Sequence, residues 1–324
     1  MLKLQQRLVV AAILTLALAP ISASAQSDVS TESNFEAIRT PWGHPDLQGV
    51  WDRRTITPLE RPERYADKPF LNADEIRAYE RASSSRGDGR PLDSGRSGIS
   101  VHDPGDLDYG TTVVASGQTS LVVDPASGRI PAYTKSFGDR MAARAQEGRG
   151  PADSWIDRSL TERCITWGVP QGMLPQAYNN NLHILQTPDA VMILNEMVHD
   201  IRIVPLDGRP HLPAKLRQWH GDPRGHWEGD TLVIESTNFS DKANFRRSGE
   251  NLHLVERFTR ISEESLQYEF TVEDPTTWVR SWSVAFPMVM AEQPMYEFAC
   301  HEGNYALRNI LGAARHLEKQ AAEQ

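Results

Sequence analysis

The chain has 324 residues, 39% of them hydrophobic, and a formal net charge of -9. That length holds one large β domain or two small ones with ample material for a core. The acidic balance, without any Lys/Arg-rich block, argues against nucleic acid or an anionic membrane as partner and suits a small uncharged or cationic ligand.

Lys3 and Arg7 precede an apolar run over residues 8–19, and Ala23, Ser24 and Ala25 supply small residues ahead of Gln26. This order predicts a secretory signal over 1–25, cleaved before Gln26. The run is well short of the roughly 20 apolar residues that span a bilayer. Cleavage leaves 299 residues (324 minus 25) and a charge of -11 (two cations fewer than -9) in the periplasm or outside the cell. Later apolar stretches are each interrupted by charge, Gly or Pro, so no membrane insertion is expected after cleavage.

Residues 26–40 are polar and aperiodic and read as a flexible leader, with a single β-rich domain over 41–324. Gly49-Val50-Trp51 closes a short apolar segment, and a Pro-rich passage through Pro58, Pro62 and Pro69 follows. Asn72 and Glu75 form a capping-box pattern that predicts a short helix through Ile76 and Tyr79. Residues 83–110 are dense in Ser, Gly, Asp, Arg and Pro and predict a long loop. A β-type run at 119–123, a turn at 124–128 and a second short helix near 139–146 complete the N-terminal half.

Beyond Cys164 the pattern is β-rich, with runs at 182–186, 191–194, 201–204, 231–236, 252–261, 266–272, 279–286 and 296–300. Pro188-Asp189, Asp207-Gly208 and Gly229-Asp230 are turn signals between them. Leu266, Tyr268, Phe270 and Val272 alternate with polar residues, the period of a strand with one buried face. So many strands with so few helices predict an antiparallel barrel or sandwich, closure being the route that removes exposed edges. Cys164 and Cys300 are the whole cysteine complement, and in an oxidising compartment they are expected to pair.

No serine-hydrolase elbow, phosphate-binding loop, dinucleotide fingerprint, zincin motif or C-x-x-C is present, so no cofactor is expected. The densest polar cluster runs through Tyr178, Asn179, Asn180 and Asn181, followed by Glu196, His199, Asp200 and Arg202. Asn is a poor strand former, so three in a row beside a strand either present donors to a ligand or satisfy their own turn. His199 suits acid/base work and Arg202 suits holding developing negative charge. In an extended strand His199 and Asp200 point to opposite faces, so a bend is needed to bring them together. His301 and Glu302 follow Cys300 directly, where a disulfide would fix the backbone. His211, His220 with Asp222, and Tyr305 are further candidates. His199, His301 and either His211 or Glu196 could converge on a metal ion, although no spacing specifies one. Trp51, Trp219, Trp227, Trp278 and Trp282 either line an aromatic pocket or fill the core.

Several segments together resemble a family of exported, lipocalin-like (calycin-like) β-barrel proteins of environmental bacteria. They are Asp46 to Trp51, Tyr178 to Asn181, Glu196-Met197-Val198-His199-Asp200, Leu206-Asp207-Gly208-Arg209-Pro210-His211, Gly225-His226-Trp227-Glu228-Gly229-Asp230-Thr231-Leu232, Thr271 to Trp278 and Ala299-Cys300-His301-Glu302-Gly303-Asn304-Tyr305. The resemblance covers most of residues 41–315 and places His199, His211 and His301 inside motifs. It implies export and an all-β, antiparallel lipocalin-like barrel with a loop-rich N-terminal region and one or two short helices. It carries no reaction, because a fold does not imply a function.

The leading expectation is a periplasmic enzyme of lyase or isomerase type acting on a small organic molecule by cofactor-independent acid/base chemistry. His199 would act as base or acid, Tyr178 or His301 would move the second proton, and Asp200 or Glu302 would orient a histidine. Arg202, Asn179, Asn180 and Asn181 would stabilise charge, with Glu196, His211, Trp219 and Trp278 at the substrate. A non-catalytic small-molecule carrier and a metal-dependent hydrolase are the alternatives, and homo-oligomerisation is left open.

Overall fold

A computed structural model describes residues 35–86, 90–93, 107–148, 150, 152–242 and 245–323. The signal segment, residues 26–34 of the leader and the middle of the 83–110 loop lie outside the described residues. Residues 35–40, read as the end of a flexible leader, are instead tied to the body. Ala37 and Thr40 are buried, and Arg39 reaches Asp230 at 2.6 Å.

The elements in chain order are β1 (Gly49–Asp52), α1 (Ala73–Ser84), β2 (Val122–Asp124), α2 (Lys135–Gln146), β3 (Asn181–Gln186), β4 (Ala190–Asn195) and β5 (Ile201–Pro205). They continue with β6 (Asp222–Glu228), β7 (Thr231–Thr237), β8 (His253–Arg260), β9 (Ser265–Glu273), β10 (Trp282–Met290) and α3 (Ala306–Ala322). Nine strands form one antiparallel sheet in the order β5-β4-β3-β1-β10-β9-β8-β7-β6, and β2 adds to β10. The sheet curls into a nearly closed barrel, so the all-β antiparallel barrel read from the sequence is the observed class.

Eight successive antiparallel pairings leave β5 and β6 running in the same direction where the ends of the sheet meet. Side chains close this seam. A Cβ on Gly225 of β6 would lie 2.8 Å from Val204 Cγ1 and 2.7 Å from Leu206 Cδ2, so the approach of β6 to β5 requires glycine there.

The interior is filled rather than hollow. Trp51, Leu182, Ile193, Phe258, Phe270 and Phe286, among others, are almost fully buried in one continuous cluster. Trp51 donates its indole N–H to Leu47 O at 2.9 Å, and the Arg260 guanidinium lies 5.5 Å from its ring centroid. Leu266, Tyr268, Phe270 and Val272 all point inward, as their alternation requires. Pro287 is tolerated inside β10 because its missing N–H falls on the edge between β2, which pairs near Ser283, and β1, which pairs at Val289.

Asn72 caps α1 in a full capping box with Glu75. Residues 296–300, read as a strand, form no ladder; they run irregularly into the Cys164–Cys300 disulfide, whose Cα atoms are 5.7 Å apart. After them comes α3, a third helix beyond the one or two expected. Its stripe of Leu307, Ile310, Leu311, Ala314 and Leu317 has helical spacing.

Candidate functional site

A hollow of about 470 Å³ lies where β1 ends, β3 begins, β4 has just ended and β10 ends. Its floor is a single row across the sheet. Val289 pairs with Asp52, Asp52 with Asn181, and the Glu196 N–H bonds Asn181 O at 3.0 Å. Asp52 and Asn181 flank the inward Trp51 and Leu182, so they project from the opposite face. The hollow therefore sits against the outer wall of the barrel. Tyr178, Asn179, Asn180, Arg54, Asp108 and the segment from Ala291 to Tyr296 complete its walls.

The Asn run is built by two effects. Asn179 sits at φ 54, a left-handed conformation that Asn tolerates better than most residues. Asn180 is buried and fully committed. Its Oδ1 accepts from Gln176 N at 2.7 Å, and its Nδ2 donates to Asp108 O and Gln176 O at 2.9 and 3.0 Å. Asn180 thus shapes the turn, whereas the side-chain amides of Asn179 and Asn181 make no hydrogen bond among the described residues. The turn-building reading of the run therefore holds for Asn180.

Glu196 is 5% exposed and accepts the Asn181 N–H on Oε2 at 3.1 Å. Behind it lies the buried Arg53, which donates to Leu174 O, Asn195 Oδ1 and Asn179 O at 3.1, 3.1 and 3.2 Å. Burial lowers the Arg53 pKa to about 10, opposed by the nearby negative charge of Glu196. At the rim, Arg54 is held between Asp52, at 2.6 Å, and Asp108, at 2.8 Å. The lining counts four carboxylates (Asp52, Asp108, Glu196, Glu292) against one guanidinium (Arg54), an excess of three negative charges, or two with Arg53 included. Tyr178 stacks on Phe298 with ring centroids 6.5 Å apart. Burial, with Tyr109 nearby, raises its pKa, so the phenol keeps its proton beyond the ordinary tyrosine range.

The other candidates are dispersed. The bend needed at His199 exists, since Val198 and His199 have φ of 59 and 44, but it does not join His199 to Asp200. His199 Nδ1 lies 3.2 Å from Phe298 O at the surface. Asp200 instead accepts from Thr166 Oγ1 and Trp167 N, both at 2.8 Å, and faces His220 Nε2 at 3.5 Å. Arg202, assigned to developing substrate charge, points into the barrel. It is 2.5 Å from Glu256 at one nitrogen and 2.9 Å at the other, both side chains being almost fully buried. Tyr268 donates to the same carboxylate at 2.8 Å. Burial works against the Arg202 charge, but Glu256 outweighs it and raises the pKa.

His211 bonds Asp222 at 3.2 Å, and Arg224 holds the other Asp222 oxygen at 2.7 Å. His301 and Glu302 are exposed and outside the hollow, so the disulfide beside them does not place them in it. Trp278 is core, packed on Phe245 and Trp282, and Trp219 is surface; neither lines the hollow, and Trp51 and Trp282 are core as well. Among the described residues no group of three His, Cys, Asp or Glu side chains is placed to hold a metal ion.

Of the residues read as candidates, the hollow gathers Tyr178, Asn179, Asn180, Asn181 and Glu196. Asp52, Arg53 and Arg54 belong to the site as well, although they are not among the residues expected from the sequence. Their signal is a charged run starting directly after Trp51, the core residue of β1. Comparison with protein-family models, with curated proteins and with solved structures gave no match.

Proposed function

We propose that this protein binds a small organic molecule carrying a positive charge, or several hydrogen-bond donors, in the hollow on the outer wall of the barrel. The observation that carries the reading is the lining itself. Carboxylates exceed cations there, the amides of Asn179 and Asn181 are open, and the exposed Tyr296 ring offers an aromatic face that attracts a cation. The volume falls in the usual range for small-molecule sites, roughly 300–1,000 Å³.

Calorimetric titration with butyltrimethylammonium tests this. Binding is expected, with affinity reduced about tenfold by Glu196→Gln, which corresponds to about 1.4 kcal/mol. Failure of any small cation to bind would remove the reading.

A second reading keeps the acid/base chemistry of lyase or isomerase type but relocates it. A protonated phenol, Tyr178, and a carboxylate, Glu196, line one hollow, which supplies an acid and a base without His199, Arg202 or His301. If this operates, Tyr178→Phe abolishes turnover of a bound substrate while leaving its binding intact; equal loss of both favours the carrier.

Export to an oxidising compartment is part of the proposal. The Cys164–Cys300 disulfide supports it, as does the order of charge, apolar run and small residues at the N-terminus. Among the described residues no helix is long and apolar enough to cross a membrane. Kinship with the exported lipocalin-like barrels is likewise proposed, supported by the antiparallel barrel and by Trp51 of the Gly-x-Trp segment at its core. The filled interior distinguishes this chain from a barrel that carries its ligand inside.

A further inference from the structure

We propose that the ligand is an amphiphilic cation, its charged head in the hollow and its apolar tail laid along the outer wall of β3, β4 and β5; this rests on the binding reading above. The register places the tail site. Two residues along the strands from the Asp52–Asn181 row, the next outward row is Val50, His183, Leu194 and Ile201, cross-strand partners in that order. The row after it joins Leu185, Met192 and Ile203. At about 3.3 Å per residue, the track from Asn181 to Leu185 is roughly 13 Å long.

This wall differs from that formed by β7, β8 and β9. The outward positions of β3, β4 and β5 carry no Asp, Glu, Lys or Arg, and Leu185, Ile201 and Ile203 are 39%, 52% and 62% exposed. On β7, β8 and β9 the outward positions include Glu235, Arg257, Glu269 and Glu273, as a water-facing wall should. A contiguous exposed apolar surface on a soluble protein marks an interaction site. Two observations select an amphiphilic cation as the occupant. The stripe is continuous in register with the hollow, through Val50 beside Asp52 and His183 beside Asn181. The hollow at its end has an excess of negative charge, so a molecule that covers the stripe meets carboxylates at one end.

The test compares butyl-, octyl- and dodecyltrimethylammonium, each below its micelle concentration, by calorimetric titration of the protein. Affinity is expected to rise along the series by roughly two- to fourfold for each methylene that is buried. Replacing both Ile201→Ser and Ile203→Ser should flatten that rise, and because both side chains are exposed the fold should survive. Dodecyl sulfate, with the same tail and an anionic head, is expected to bind at least about tenfold more weakly.

Affinity independent of chain length, with the short cation still bound, would overturn this inference and leave the binding reading standing. Absence of binding by every member would overturn both. Equal binding of dodecyl sulfate would overturn the cationic assignment. Sedimentation of the free protein gives the remaining arm: a monomer is expected, and a dimer that the double serine variant dissociates would make a second copy the occupant of the wall and overturn the proposal.

Discussion

The barrel interior and the hollow on its outer wall are built from the same three residue types, Arg, Glu and Tyr, with opposite results. Inside, Arg202 and Tyr268 both donate to Glu256, and the arginine and carboxylate are almost fully buried. Outside, Tyr178 and Glu196 line a cavity with Asn179 and Asn181, whose side chains are left open, while Arg53 braces the backbone behind them. Residue chemistry alone therefore does not say which polar cluster closes on itself in the core and which lines a cavity. The difference lies in what the groups face: inside, an arginine and a tyrosine converge on one buried carboxylate, whereas outside the carboxylates and the Asn179 and Asn181 amides line a cavity.

The largest expected effect lies inside. Glu256→Ala strands the Arg202 charge in the core and should cost about 3–5 kcal/mol in urea unfolding, whereas replacing both partners by apolar residues of similar volume should recover most of it. A double variant as unstable as the single one would show that the pair is not self-contained.

Next comes the covalent tie of the outer loops. Cys164→Ser should cost about 2–4 kcal/mol, because it removes a link closing a separation of 136 residues. It should also weaken ligand binding, since the segment from Ala291 to Tyr296, which walls the hollow, leads directly to Cys300. Unchanged affinity under reducing conditions would mean that the wall holds itself in place.

Glu196→Gln is the complementary test outside. It should lower cation affinity about tenfold while destabilising the fold much less than Glu256→Ala, because the buried Arg53 that Glu196 supports keeps its bonds to Leu174, Asn195 and Asn179. If Glu196→Gln unfolds the protein instead, the contrast between the two regions fails.

The smallest effect concerns acid stability. Burial of Asp274 opposes its ionisation, but hydrogen bonds from Ser248, Thr276 and Thr277 outweigh that and hold its pKa below the ordinary value. Its stabilisation is therefore complete above the unfolded aspartate value of about 3.9 and is lost as pH falls through the lower folded value. Asp274→Asn should flatten the pH dependence of stability in that acidic window and leave the neutral-pH slope unchanged. Urea titrations at several pH values measure both.

The legible features were those set by local pattern. Alternation at Leu266 to Val272 gave a strand with its faces assigned, and Asn72 with Glu75 gave a helix start, because both are fixed by neighbours within a few residues. The third helix is equally legible in the spacing of Leu307, Ile310, Leu311 and Ala314. The site was legible in part. The Asn run and Glu196 were singled out for their unusual composition, and they do meet.

His199, Arg202 and His301 were grouped with them by closeness in sequence or to a disulfide. Arg202 shows why that fails. In a strand, one residue's shift reverses the face, so Arg202 goes to the core while Ile201 and Ile203 go to solvent. Arg53 and Arg54 carry no local sign of their roles, because their partners Asp108, Asn179 and Asn195 lie 54 to 142 residues away.

By itself, then, the sequence determined the all-β class, the strand faces, the first helix cap and the presence of a polar cluster, all consequences of short-range periodicity and local hydrogen bonding. Only the tertiary structure decided that the barrel is filled, that its seam is parallel, and that the hollow lies on the outer wall. Those depend on which strands become neighbours and in what register, and the free energy that selects them comes from packing between residues far apart in the chain.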